Sequence, residues 1–299
     1  MYNLSSPTVI KSILKKHNFN FSKGLGQNFL IDPSVCPRMA QLCGAAEVDG
    51  VIEVGPGIGV LTAELAKCAK KVVSVELDKR LIPMLNETLS GYQNVKIING
   101  DILTIDLESL IREEFGGSRV AVCANLPYYI TSPVIMQLLE SRLPISSITV
   151  MIQKEAAARI TASPGVREAG AVSYAVNYYA KPQILFEVGA ESFMPRPSVD
   201  SCVIRLDVRQ HPPVVVKDDL FMFRLIRIVF NQRRKTILNG LNAGLNLARE
   251  EIASALKKAS IDPMVRGEKL SLEDFARLAD AFYEEYACAC HDGRIELPN

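Results

Sequence analysis

Tryptophan is absent from the 299 residues, histidine occurs three times, and no apolar run reaches the ~18 residues that a membrane-spanning helix needs. None of the histidines stands near a serine or cysteine in a nucleophile-elbow pattern, so covalent acyl transfer has no support. A charged leader with an apolar stretch and a cleavage site is also missing, and a cytosolic protein is the expectation. The seven cysteines (36, 43, 68, 123, 202, 288 and 290) form an odd set without C-x-x-C spacing. Such a set fits reduced thiols better than a disulfide framework or a zinc site. Cys288, Cys290 and His291 offer three ligands and lack a fourth, so no metal is expected.

An excess of charge of one sign is lacking too, with a net charge of +1. The signs are nevertheless unevenly placed. Residues 1–31 carry Lys11, Lys15, Lys16 and Lys23 with no acid, and 220–249 carry Arg224, Arg227, Arg233, Arg234, Lys235 and Arg249 with no acid. From 250 to 299 the balance reverses, with eleven acids against six bases. Two local basic patches suit phosphates despite the neutral total.

What is present is an alternation of short apolar runs and helical spacing. Strands are read at 51–54, 72–76, 95–98, 120–124, 148–152, 184–188 and 201–206, with helices at 34–46, 60–69 and 79–88. The pattern predicts an α/β fold with a mostly parallel seven-stranded sheet. Gln210-His211-Pro212-Pro213 breaks it. Beyond that point the residues favour helix from 217 to 286, apart from a short strand at 214–216. Two domains follow, 1–208 with a basic arm and the sheet, and 209–299, small and helical.

The first strand feeds Glu53-Val54-Gly55-Pro56-Gly57-Ile58-Gly59. In an open α/β sheet ligands lie beyond the carboxyl ends of the strands, and glycines at the first turn let backbone amides approach them. The spacing is G-x-G-x-G, which departs from the dinucleotide fingerprint. Glu76 ends the second strand, 21 residues after Gly55, where a carboxylate accepts from both hydroxyls of a ribose. Asp101 ends the third strand and reads either as a partner for an adenine amino group, with Ile102 packing on the ring, or as a helix N-cap. These anchors suit S-adenosylmethionine, and NAD as well.

Asn125-Leu126-Pro127-Tyr128, at the end of the fourth strand and 70 residues after Gly55, decides between them. An exocyclic adenine amine is a poor nucleophile because its lone pair is delocalised into the ring. The Asn125 side-chain oxygen and the Leu126 carbonyl, aimed at its two hydrogens, would favour a pyramidal nitrogen. Pro127 stiffens the loop, and Tyr128 offers a face on which an extruded base can stack. Phe193, in Phe193-Met194-Pro195-Arg196-Pro197, reads either as a cover on the other side of that base or as a core residue. Gln27, Asn28, Phe29 and Leu30 could close over the methionine end of the cofactor.

Together with Lys23 to Leu30, Val75-Glu76-Leu77-Asp78, Gly100-Asp101 and Phe230-Asn231-Gln232-Arg233-Arg234-Lys235-Thr236, these motifs resemble the ribosomal RNA adenine dimethyltransferase family. The resemblance runs from about residue 8 to 283. It is closest to the bacterial small-subunit group, whose loss is associated with kasugamycin resistance. It implies a Rossmann-like class I methyltransferase fold and transfer of four methyl groups to N6 of two adjacent adenosines in the 3′-terminal hairpin loop of 16S rRNA. By motif matching Asn28, Leu30, Gly55, Glu76, Asp101 and Asn125 fall on cofactor positions, and Asn125, Tyr128 and Phe193 on the reaction site; Gly57 and Ile102 join the cofactor candidates, and Leu126 and Pro127 the reaction-site ones, by their placement in the chain. Gly59 is the least secure anchor.

If 220–236 is one helix, Arg224, Arg227, Arg234 and Lys235 share an arc of ~100° and Arg233 points elsewhere. That stripe lacks i,i+4 acids and suits RNA phosphates, as does Lys23 in the arm. Arg233 stays among the RNA-binding candidates through the family motif. The expectation is a monomer acting on rRNA within a 30S assembly intermediate. The alternatives are methylation of a large-subunit rRNA adenine and a non-catalytic assembly or transcription factor.

Overall fold

The computed structural model describes residues 2–20 and 27–291, with side chains as far as residue 284. In chain order the elements as far as residue 208 are α1 (Pro7–Lys16), β1 (Phe29–Leu30), α2 (Val35–Leu42), β2 (Gly50–Val54), α3 (Val60–Cys68), β3 (Val72–Glu76), α4 (Ile82–Thr88) and β4 (Val95–Asn99). They continue with α5 (Leu107–Phe115), β5 (Val120–Asn125), α6 (Thr131–Glu140), β6 (Ile145–Gln153), α7 (Lys154–Thr161), α8 (Ala171–Tyr179), β7 (Ala180–Val188), β8 (Phe193–Met194) and β9 (Ser201–Val208). The remaining helices are α9 (Asp219–Asn231), α10 (Ile237–Gly244), α11 (Arg249–Lys258) and α12 (Leu272–His291).

Seven strands form one sheet in the order β4-β3-β2-β5-β6-β9-β7. The pairs from β4 to β6 are parallel, and β9 runs antiparallel between β6 and β7. Every residue of β2 and β3 is buried, which is why both read as continuous apolar runs and not as alternating ones. Through Val51, Val72, Ala121, Cys123, Met151 and Val203 one side of the sheet packs with Met39 of α2 and Leu65 of α3. The chain leaves β2 for β3 and β4 on one side and returns to β5 on the other, so the strand order reverses beside β2. Ligands of open α/β sheets sit at such a reversal.

The basic arm contains a helix that its charges concealed. In α1, Ile10, Ile13 and Leu14 are buried at i, i+3, i+4 spacing and cluster with Phe19, Leu81, Met84, Leu85 and Leu89. Glu87 holds the same arm by its polar side, accepting from Tyr2, Lys16 and His17 at 2.5, 2.7 and 2.8 Å. A second unforeseen piece is the ribbon β1/β8, in which Leu30 pairs with Phe193.

The chain forms two compact units, Met1–Ala157 with Ala180–Val208, and Ala158–Tyr179 with Arg209–Asn299. The division expected at 208/209 thus omits a segment, because 158–179 clusters with the helices. Tyr174, fully buried, contacts Phe230 at 5.2 Å and Phe275 at 5.3 Å, and its hydroxyl donates to the Leu270 carbonyl. No strand forms at 214–216, where Val215 is 92% exposed and has no ladder to join. The helix read over 220–236 stops at Asn231, and Arg233, Arg234 and Lys235 lie in the turn before α10. Thr236, at the end of this turn, forms an isolated antiparallel bridge with Arg266.

Candidate active site

The carboxyl ends of β2, β3 and β5 open onto one cleft, lined by the β2–α3 glycine turn, the tip of β3 and the turn after β5. Gly55, Gly57 and Gly59 adopt φ of +66°, +61° and +92°, the left-handed region that favours glycine. They differ in what surrounds them. A Cβ on Gly55 would meet nothing within 4 Å, on Gly57 it would sit 3.3 Å from Phe29, and on Gly59 3.0 Å from Leu89. Gly55 and Gly57 line the cleft, while Gly59 serves the turn into α3.

Glu76, 6% exposed at the tip of β3, lines the same cleft. Its Oε1 accepts from the Asp78 backbone N–H at 2.7 Å and its Oε2 from that of Gly57 at 3.3 Å. Burial pushes the carboxyl up to about 7, against the pull of these two donors. Asp101 forms a tight turn and caps no helix, its Oδ1 accepting from Leu103 N–H at 2.9 Å. Ile102 beside it is buried and lines the cleft.

Asn125 ends β5, and the Leu126 N–H donates to the Met151 carbonyl at 3.2 Å, which fixes the turn against β6. The Pro127 carbonyl accepts from Ile130 N–H, closing a short helical turn over Tyr128. The Tyr128 hydroxyl lies 3.1 Å from Ser201 Oγ, which tethers the ring by its tip. Phe193 lines the cleft at 4% exposure and packs among Leu30, Val188 and Val203, so it is a core residue and a cleft wall at once. Asn28 and Leu30 complete the lining from β1 and the residue before it.

A family model described as ribosomal RNA adenine dimethylase matches residues 16–284. The chain belongs to that family. A ribosomal RNA small subunit methyltransferase A from Shouchella clausii is 50% identical over 94% of this chain and 96% of its own length. Its namesake from Lysinibacillus sphaericus is 49% identical over 95% and 99%. Among solved structures, a dimethyladenosine transferase from Plasmodium falciparum superposes with TM-score 0.70 at 26% identity, covering 86% of this chain and 98% of that one. The 23S rRNA methyltransferase ErmE does so with 0.65 at 27% identity, covering 85% and 98%.

Three features of this dimethylase's cleft escaped the sequence reading. Glu53, read there as strand, is a cleft-lining carboxylate at 1% exposure, its Oε2 accepting from Thr62 Oγ1 at 2.6 Å and Ser74 Oγ at 2.7 Å. Burial pushes it up to about 7. Asp78 ties Glu76 to Gln27, whose Nε2 donates to Asp78 Oδ2 at 2.9 Å. An Asp two residues after a strand-end Glu was the available signal. Ser201, the partner of Tyr128, had none, because the two are 73 residues apart.

The basic candidates are placed unevenly. Arg224 on α9 is half-buried, and Arg227, Arg234 and Lys235 are exposed. Arg233 is engaged within its own unit, 2.9 Å from Glu268 and donating to the Arg167 carbonyl. Lys23 lies outside the described residues, as do the side chains of Cys288, Cys290 and His291. Among the described residues no group of three His, Cys, Asp or Glu could hold a metal, and no helix is long and apolar enough to cross a membrane.

Proposed function

We propose that this dimethylase transfers methyl groups from S-adenosylmethionine to N6 of two adjacent adenosines in the 3′-terminal hairpin loop of small-subunit rRNA. It acts as a cytoplasmic monomer on a 30S assembly intermediate. The observation that carries the reading is the convergence of Glu76 and Asn125-Leu126-Pro127-Tyr128 on one cleft, where either motif alone would be ambiguous.

The residues present fit the cofactor. Open space over Gly55 admits a ligand against the backbone, the Glu76 carboxylate suits the two ribose hydroxyls, and Asp101 with Ile102 suits the adenine. Asn28 and Leu30 would hold the methionine end. When bound, S-adenosylmethionine supplies an electrophilic sulfonium methyl.

The chain's own contribution is positioning. Asn125 accepts one amine hydrogen through its carboxamide oxygen and Leu126 the other through its carbonyl, which withdraws the lone pair from the purine ring. No strong base is required, because the proton leaves to water after transfer, and rate comes from orientation and fixed dipoles. Tyr128, anchored on Ser201, presents its face to the extruded base, and Phe193 walls the opposite side. RNA is held largely by shape and phosphate contacts, for which Arg224, Arg227, Arg234 and Lys235 are the proposed set, with Lys23 from the arm. Arg233 instead braces the turn that carries its neighbours.

The relatives at 46–50% identity are named for the small subunit, and this supports that substrate over a large-subunit one. Mass mapping of rRNA tests it. A deletion strain should lack the dimethyladenosine pair in 16S rRNA, regain it with this chain and fail to regain it with Asn125→Ala. Methylation restored in 23S rRNA instead would overturn the assignment.

A further inference from the structure

Both oxygens of Glu76 are held by backbone N–H groups, and each of those groups is braced by the segment that follows α1. On one side, Asp78 N–H donates to Oε1. The Asp78 carboxylate in turn receives Arg80 as a fork, Nε to Oδ1 at 2.9 Å and Nη2 to Oδ2 at 2.6 Å, together with Gln27 Nε2 at 2.9 Å. On the other side, Gly57 N–H donates to Oε2, and the Phe29 ring backs Gly57 at 3.3 Å from where its Cβ would lie. Phe29 stacks on Phe19 at 6.4 Å between centroids, and the Arg80 guanidinium lies 4.9 Å over Phe19. The contacts close a ring from Glu76 through Asp78, Arg80, Phe19, Phe29 and Gly57 back to Glu76.

We infer that Arg80 is a positioning residue of the cofactor site, orienting the Glu76 carboxylate through Asp78 on one side and through Phe19, Phe29 and Gly57 on the other. The inference rests on Glu76 being the ribose acceptor. Arg80 is half exposed, and an exposed ion pair adds little to stability, so the pair's energy does not explain the arrangement. Its geometry does. A planar fork that both grips a carboxylate and covers an aromatic ring fixes two elements relative to each other, which a lysine cannot do. Asp78 is itself buried, and without the fork its carboxylate keeps only the Arg80 backbone N–H and Gln27 Nε2 as donors, which loosens the turn that aims the Asp78 N–H at Glu76.

The test is calorimetric titration with S-adenosylhomocysteine and with its 2′,3′-dideoxy analogue, which offers Glu76 no hydroxyl. Removal of one well-made hydrogen bond corresponds to about tenfold in affinity. Arg80→Ala should weaken the ribose ligand about tenfold, leave the 2′,3′-dideoxy ligand within about twofold, and leave the KM for RNA unchanged. A general loosening of the fold would weaken both ligands alike. Arg80→Lys, which keeps the charge and conserves folding, should show the same selective effect in smaller measure. In a Glu76→Ala background Arg80→Ala should add nothing. Equal weakening of both ligands, or additive effects with Glu76→Ala, would overturn the inference. Unchanged discrimination in Glu76→Ala itself would remove the ribose reading, a distinguishable failure.

Discussion

Asn125 and Glu76 stand at the ends of different strands and carry separable parts of the proposed reaction. Asn125 acts on the amine, and its hydrogen bond strengthens as the nitrogen becomes pyramidal. Asn125→Ala should therefore abolish methyl transfer while cofactor affinity stays within about tenfold, read by a tritium transfer assay beside titration calorimetry. Glu76 acts on the ground state and its ionisation is visible in binding. Burial places the carboxyl at about 7, and only the ionised form accepts from both ribose hydroxyls. Cofactor affinity should rise as pH is raised from about 6 to about 8, and Glu76→Gln should flatten that dependence. Both residues were legible because each ends an apolar run and each is polar where burial would otherwise forbid it. Ser201 was not, since a serine opening a strand carries no sign that a tyrosine 73 residues earlier will reach it.

At the scale of elements, the three glycines of the β2–α3 turn separate into a ligand-facing and a packing role. Gly55→Ala bears the strain of a left-handed φ of +66° and also points a methyl into open cleft, so it should weaken cofactor binding as well as folding. Gly59→Ala forces a left-handed φ of +92° and presses on Leu89, so it should lower unfolding free energy by about 1–2 kcal/mol in urea and change affinity little. Sequence showed one motif here, and packing of Leu89 decided which glycine does what. The basic residues proposed to hold RNA do not form the single stripe that helical periodicity implied, because α9 ends at Asn231 and a turn carries Arg234 and Lys235. Neutralising Arg224, Arg227 and Arg234 together should reduce the salt slope of RNA binding by about 2, at ~0.7–0.9 for each phosphate whose charge is no longer neutralised. Arg233→Ala should leave the slope and disturb the turn, since its partners are Glu268 and the Arg167 carbonyl.

For the molecule as a whole, two carboxyls pushed up by burial at the centre of the sheet make stability depend on pH. Glu53 ordinarily titrates near 4.5 and stands at about 7 here, so the folded state binds its proton more tightly than the unfolded one. That contribution is fully present below about pH 4.5 and is lost as pH rises through 7. Glu53→Gln, which keeps an acceptor for Thr62 and Ser74, should gain stability over the parent between about pH 6 and about pH 8 by of the order of 2 kcal/mol, measured by urea unfolding. The division into units carries the same lesson at larger scale. A break at Gln210-His211-Pro212-Pro213 was visible, but α8 joins the helical unit because Tyr174 buries its ring among Phe230 and Phe275.

By itself the sequence determined the seven strands of the sheet, the glycine turn after the first of them and the polar residues Glu76 and Asn125 at strand ends. Apolar runs bounded by Gly, Asp and Asn have few other ways to satisfy their backbone, and a parallel sheet buries them on both sides. Tertiary structure alone decided that α1 packs with Ile58 of the glycine turn, that 29–30 pairs with 193–194, that Glu53 shares the cleft with Glu76, and that Thr236 bridges Arg266 beyond the end of α9. Each of these joins residues far apart in the chain, where two surfaces happen to fit, and local propensity carries no record of such a fit.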